Sequence, residues 1–152
     1  MPKGMNQKTE RQKMKNATIT RAKEIFASTN YQKNCANCDT DFSPVDFVAV
    51  ESAVIVCLGC YMVEMKLSAK DFSKTLKTLV GCEICGYSRH SFALQFDHTN
   101  HATKYRTKSG KIIHPSDLFR TCSISVFVAE VAKCVIRCAN CHAEKTARER
   151  GF

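Results

Sequence analysis

The spacing of apolar positions changes several times along this chain, and each change marks an element. Between Thr18 and Ser28, Ile19, Ala22, Ile25 and Phe26 recur at helical intervals, which predicts a short helix with one apolar stripe. The residues before it, including Lys8, Arg11, Lys13 and Lys15, are polar and basic and read as a disordered arm. Phe47 to Val50 and Val54 to Val56 are rich in β-branched and aromatic residues and flank Glu51-Ser52-Ala53, the pattern of a hairpin. From Tyr61 the period becomes helical. Ser68, with Asp71 three residues on, resembles a capping box; Phe72, Leu76, Leu79 and Val80 form one apolar face; Gly81 suits the C-terminal cap. Lys66, Lys70, Lys74 and Lys77 fall on the opposite side and read as a solvated face.

Beyond Cys82 the pattern changes again. Phe92 to Phe96 has strand character and ends at Asp97-His98. After a polar stretch, with Lys104 to Pro115 read as a loop whose Lys104, Arg106, Lys108 and Lys111 suit contact with a phosphate backbone, Ser116 opens a segment in which Phe127, Val128, Val131 and Cys134 recur at helical spacing. The short apolar pair Val135-Ile136 follows, and Cys141 to Arg150 reads as a final helix with His142 in its first turn. No apolar run approaches the ~20 residues of a membrane span, since Cys122 to Ile136 is broken by Glu130 and Lys133.

Cysteine usage sets the architecture. The chain has 152 residues and 10 cysteines. Eight of them form four Cys-x-x-Cys pairs, which is metal-knuckle spacing. Met1 to Glu10 lacks the apolar stretch of a secretory leader, so zinc in a reducing cytoplasm accounts for the cysteines better than a disulfide scaffold. Cys35, Cys38, Cys57 and Cys60, with residues 39 to 56 between the pairs, have zinc-ribbon spacing. A tetrathiolate site is closed, so its expected role is folding and placement. Cys82 and Cys85 are expected to join Cys138 and Cys141 and clamp the ends of a second small domain. The alternative joins Cys57 and Cys60 to Cys82 and Cys85. Cys122 and Cys134 lack x-x-Cys partners and read as buried small apolar residues.

The predicted fold is therefore α+β. It divides into a basic arm with a short helix (1–34), a zinc ribbon (35–66), a connecting helix (67–81) and a second zinc-stabilised domain (82–152). The net charge of +9 is uneven. Basic residues outnumber acidic ones 8 to 2 over residues 1–34 and 11 to 6 over 82–152, whereas acids lead 6 to 4 over 35–81. Positive ends favour polyanions such as nucleic acid, whose condensed counterions are released on binding, but the charge by itself fits a solvated basic surface equally well, and the cysteine and histidine pattern is what favours nucleic acid.

Residues 82–152 resemble an HNH endonuclease domain of the type bearing four zinc-binding cysteines. Leu94-Gln95-Phe96-Asp97-His98 and Cys138-Ala139-Asn140-Cys141-His142-Ala143-Glu144-Lys145-Thr146 carry the resemblance. It implies a ββα-metal fold holding one catalytic divalent cation, Mg²⁺ or Mn²⁺, beside two structural Zn²⁺, with hydrolysis of DNA phosphodiesters as the activity. By that resemblance His98 is the general base and Asp97 and His142 are the cation ligands; Lys145, one turn further along the same helix face, is placed either to hold a phosphate oxygen or to stand as a surface lysine. An imidazole titrates near ~6.5, close enough to neutrality to accept a proton. The asparagine that gives the family its middle letter has no clear counterpart, and Lys133 stands roughly at its place.

The expected function is thus a cytoplasmic, metal-dependent DNA endonuclease of the compact kind common in phages, with no membrane partner. A homodimer is expected if both strands are cut in one encounter. The alternative is a catalytically inactive zinc-binding DNA-binding protein that keeps the HNH frame for its fold. A thiol oxidoreductase fits less well, because paired pairs account for all four Cys-x-x-Cys motifs.

Overall fold

The structure, a computed structural model, describes residues 17–27, 33–118, 120 and 122–152. It is a mixed α and β chain in two compact units, the first ending at Ser68 and the second beginning at Ala69. Among the described residues no helix is long and apolar enough to cross a membrane. The arm cations Lys8, Arg11, Lys13 and Lys15 lie outside the described residues.

The first unit is built on a three-stranded antiparallel sheet of β1 (Thr18–Arg21), β2 (Phe47–Glu51) and β3 (Val54–Cys57). The hairpin falls where the sequence predicts it, with Glu51 opposite Val54 across Ser52-Ala53. The single helix predicted from Thr18 does not form. Thr18–Arg21 is instead an edge strand, and the helix α1 is confined to Ala22–Phe26. The reason is local and tertiary at once: Thr18, Ile19 and Thr20 are β-branched and stiff at χ1, and β2 offers them a ladder in which Ile19 meets Ala49 and Thr20 meets Val48. Ile19, Ala22 and Ile25 are nevertheless buried, so the apolar positions hold while the backbone changes period between them. β3 runs straight into α2 (Leu58–Glu64), which buries Leu58, Tyr61 and Met62.

The second unit opens with α3 (Ala69–Val80), which starts directly after Ser68 and carries Asp71 in its first turn. Its buried face is narrower than predicted. Phe72, Ser73 and Leu76 are buried, whereas Leu79 and Val80 in the last turn remain 49% and 37% exposed. Lys77 does not stand on a wholly solvated face either: its ammonium lies 4.9 Å from the Phe96 ring centroid and donates to Ser116 Oγ at 3.3 Å. Its methylenes cover apolar surface while its charge meets a ring face. The helix stops at Gly81, whose φ of +74° lets the chain turn into Cys82.

A two-stranded antiparallel pair forms the centre of this unit, β4 (Leu94–His98) against β5 (Cys134–Cys138). β4 begins two residues later than the sequence predicts, because Ser91–Ala93 is a 3₁₀ turn and Leu94 is the first residue with a partner, Cys138. The segment from Ser116 to Cys134 is not one helix. It divides into α4 (Pro115–Leu118) and α5 (Ile124–Ala132), and Cys134 begins β5 opposite His98. α5 ends where Lys133, still helical in φ and ψ, donates its N–H to Glu130 and Val131 carbonyls. α6 (Ala139–Glu149) follows β5 without a break and starts two residues before the predicted Cys141. The core joins Phe72 of α3, Phe96 of β4 and Phe127 of α5, with edge-to-face ring pairs at 6.3 and 6.4 Å. Cys134 is buried as expected, whereas Cys122 is only half-buried.

Candidate metal centres and the polar site beside them

None of the ten cysteines is in a disulfide. Eight converge in two groups, Cys35 with Cys38, Cys57 and Cys60, and Cys82 with Cys85, Cys138 and Cys141, each with its sulfurs within 4.8 Å of one another. The Cys38 and Cys57 sulfurs are 3.9 Å apart and those of Cys85 and Cys138 are 3.7 Å apart. Four sulfurs at ~2.3 Å from a tetrahedral zinc stand about 3.8 Å apart. Each group can therefore hold one structural metal ion, and the pairing is the expected one rather than Cys57 and Cys60 with Cys82 and Cys85.

The two groups share a local design. In each, the second knuckle sits where a strand becomes a helix, β3 to α2 and β5 to α6. The first cysteine caps the helix: Cys57 Sγ accepts from Cys60 N–H at 3.4 Å, and Cys138 Sγ accepts from Cys141 N–H at 3.5 Å. Further N–H donors reach Cys35 Sγ from Asn37 at 3.4 Å and from Cys57 at 3.3 Å. These donors sort the thiols by acidity. The Thr40 hydroxyl and N–H hold Cys38 down to about 6. At Cys82 burial opposes ionisation, but N–H groups of Cys138, Cys85 and Ile84 outweigh it and bring the thiol to about 6. Cys141, hydrogen-bonded to the Cys138 thiol, is pushed up to about 12. Burial raises Cys57 and Cys60, and at Cys60 the neighbouring thiols of Cys57, Cys35 and Cys38 add to it. Each cluster thus ionises readily at one position and resists at another until a cation compensates the accumulating charge.

Period-two alternation divides β4 between two environments. Gln95 and Asp97 meet α6; Phe96 and His98 meet α5. Asp97 is 3% exposed. Its carboxylate accepts from Lys145 Nζ at 2.8 and 3.0 Å and from Arg137 Nη1 at 3.0 Å. His142 Nε2 lies 3.7 Å from Asp97 Oδ1. Its other ring nitrogen, Nδ1, bonds the side-chain oxygen of Gln95. With the Gln95 oxygen as acceptor, Nδ1 is the donor, and in the neutral ring Nε2 then presents its lone pair on the Asp97 side. Arg137 also reaches Glu83 Oε1 at 2.6 Å, which ties Asp97 to the Cys82-Glu83-Ile84-Cys85 knuckle.

Asp97, His142 and Lys145, chosen from the sequence, are thereby brought together. His98 is not among them. It is 4% exposed on the opposite face, with Nε2 2.6 Å from Glu130 Oε1. Glu130, 1% exposed, also accepts from Tyr105 N–H at 2.7 Å and Lys133 Nζ at 2.7 Å. Burial opposes its charge, but Lys133, His98 and Tyr105 N–H outweigh that and hold its carboxyl below the usual range. Lys133 spans the gap from Glu130 to Thr103 O, 2.9 Å away. His101, Nε2 3.9 Å from Glu149, is exposed.

Gln95, Glu130 and Arg137 carry much of this arrangement and were not singled out from the sequence. Gln95 could have been found as the residue two before Asp97 on the same strand face. Glu130 stood out only as a charge interrupting an apolar helix, which is itself a sign of a buried, partnered carboxylate. Arg137 gave no signal without the register that places it opposite Gln95. Comparison with family models, curated proteins and solved structures yields no match for this chain.

Proposed function

We propose that the chain is a metal-dependent DNA endonuclease of the HNH, ββα-metal type, hydrolysing phosphodiester bonds. One observation carries the reading. The second of two antiparallel strands runs directly into a helix, and Asp97 Oδ1 from the first strand lies 3.7 Å from His142 Nε2 on that helix. Ligand atoms each ~2.1 Å from one divalent cation stand about 3 to 4 Å apart. The carboxylate oxygen, with substrate oxygens and water completing the shell, suits Mg²⁺ or Mn²⁺, and the imidazole nitrogen favours the softer Mn²⁺ of the two. Such a cation would neutralise charge on the scissile phosphate and on the leaving oxygen.

The protein's own residues do the rest. Gln95 fixes the His142 ring, and Arg137 holds Asp97 to the knuckle. Lys145 balances the Asp97 charge by donating to both carboxylate oxygens, and with a cation held by Asp97 and His142 its ammonium would be left to hold a phosphate oxygen. The HNH resemblance gives His98 the role of base: Glu130 holds its Nε2 and leaves Nδ1 to take the proton, while the side chain lies buried on the face of β4 away from Asp97 and His142. The positive charge of residues 82–152 draws DNA in, and action on both strands at once would take two chains. The compartment that fits eight thiols on two metals is a reducing cytoplasm.

A second reading has its own observation. Lys145 donates to both Asp97 oxygens, and His98 is enclosed against Glu130, as expected of a zinc-built DNA-binding protein without turnover. Incubation of supercoiled DNA with zinc-loaded protein and Mg²⁺ or Mn²⁺ separates the two. The nuclease reading expects nicking that falls by at least about 100-fold in His98→Ala and in Asp97→Ala. Salt-sensitive DNA binding without nicking under either cation gives the second reading, and nicking that survives His98→Ala removes the base.

A further inference from the structure

The stretch between β4 and α4 has a shape that its composition did not announce. Arg106 and Ile112 form an antiparallel bridge. Thr107 N–H donates to Lys111 O at 2.9 Å, and Ile113 N–H to Tyr105 O at 3.4 Å. The tip closes through Gly110 N–H to Thr107 O at 2.8 Å, with Gly110 at φ +85° and its carbonyl accepting from Arg106 Nη1 at 3.3 Å. Residues 105–113 are therefore a short two-stranded ribbon.

Its charge is one-signed. No acidic residue lies between Asp97 and Asp117, while Lys104, Arg106, Lys108 and Lys111 all do. Among the described residues none of these four cations has an ion pair. Lys104 and Arg106 fall two apart on one arm, so they share its face, and Lys108 and Lys111 flank the tip. Three of the four, Arg106, Lys108 and Lys111, are exposed. The base of the ribbon, by contrast, is fixed. Tyr105 N–H is held by buried Glu130 at 2.7 Å, and Thr103 O by Lys133 at 2.9 Å. The carboxylate that holds the ribbon also holds His98.

We propose that this ribbon is a DNA-docking finger that enters a groove of duplex DNA and sets its phosphates against Lys104, Arg106, Lys108 and Lys111. This deepens the nuclease reading and rests on DNA being the partner. A ribbon with three exposed cations, Lys104 half-buried at its foot and no acid is complementary to a polyanion, and the ~12 Å major groove admits a two-stranded ribbon. Phosphate contacts of this kind position the duplex without reading its sequence. Anchorage on Glu130 makes the finger a rigid projection beside His98 rather than a free loop.

Two variants test charge and shape separately, with zinc content and thermal unfolding checked first. Lys104→Gln/Lys108→Gln/Lys111→Gln removes charge and spares Arg106, which holds the turn. Gly110→Val keeps every charge but forces a β-branched residue into positive φ. Binding to a fluorescent duplex is followed against NaCl concentration. Loss of three phosphate contacts lowers the log–log salt slope by about 2 to 3 and weakens binding about 100-fold near 0.15 M salt. Gly110→Val is expected to weaken duplex binding several-fold. A wild-type slope in the triple variant overturns the finger while wild-type binding and nicking keep the nuclease reading. Unchanged binding in Gly110→Val overturns the ribbon geometry. Wild-type protein that binds no DNA at low salt overturns both.

Discussion

Glu130 is the residue whose loss the fold should feel most sharply. It is enclosed, charged and surrounded by three donors: His98 Nε2, Lys133 Nζ and Tyr105 N–H. Glu130→Gln keeps the shape but puts an amide group among donors, so at neutral pH it is expected to cost about 2 to 4 kcal/mol. The folded chain holds this carboxyl below its unfolded value, so the stabilisation is present above about pH 4.5 and is lost as pH falls through the depressed folded value. Urea unfolding of the two proteins should therefore differ most near pH 7, with the gap narrowing below about pH 4.5. A gap that stays constant down to pH 3.5 would mean that the carboxylate charge is not what stabilises the fold. At this scale the sequence picked out Asp97, His142 and Lys145, and these side chains do lie together. It was a poor guide to what orients them. Gln95 and Arg137 act through a cross-strand register that no local pattern encodes.

Among elements, the clearest lesson comes from a repeated tetrapeptide. Cys-Ala-Asn-Cys occurs at residues 35–38 and again at 138–141. The first copy is a turn leading to Asp39 at φ +56°, and the second opens an eleven-residue helix. The residues C-terminal to each copy decide its conformation: Asp-Thr-Asp turns the chain, while His-Ala-Glu-Lys-Thr-Ala extends a helix. Metal spacing was thus legible, but the element carrying each knuckle depended on its context. The same holds for Thr18–Arg21, where helical spacing of the apolar residues was overridden by a strand partner far along the chain. Gly81 is a place where local chemistry and element geometry agree. A Cβ there would meet Ser88 Cβ and Tyr87 O at 3.3 Å, on a backbone at φ +74°. Gly81→Ala is expected to destabilise the second unit by about 1 to 2 kcal/mol and lower its Tm by roughly 5 to 15 °C, measured by calorimetry of the zinc-loaded protein. An unchanged Tm would show that the turn into Cys82 relaxes freely.

For the molecule as a whole, the division at Ser68 and Ala69 makes each four-cysteine group internal to one unit. α3 belongs to the second unit, since fully buried Phe72 and Leu76 complete the core around Phe96 and Phe127. A fragment of residues 69–152 should fold alone and bind one zinc. A fragment of 82–152, stripped of two large core side chains, should bind zinc without a cooperative transition, since each such loss costs about 2 to 5 kcal/mol. Metal analysis with amide spectra distinguishes the two. Equal dispersion in both fragments would exclude α3 from the core. Sequence alone indicated that there were two metal-held modules. It placed this helix between them because amphipathic spacing shows that a face is buried, not against what.

The clamp of Cys82 and Cys85 on Cys138 and Cys141 sits at the Leu94 end of the β4–β5 pair, while the long connection leaves from the His98 end. A chain clasped at one end and open at the other can lengthen or shorten its free side at small entropic cost, roughly 0.6 kcal/mol per doubling. The connection is thus the part of this domain in which evolution can trade segments. Changes there leave the four cysteines untouched, and the ribbon at residues 105–113 lies within this free side.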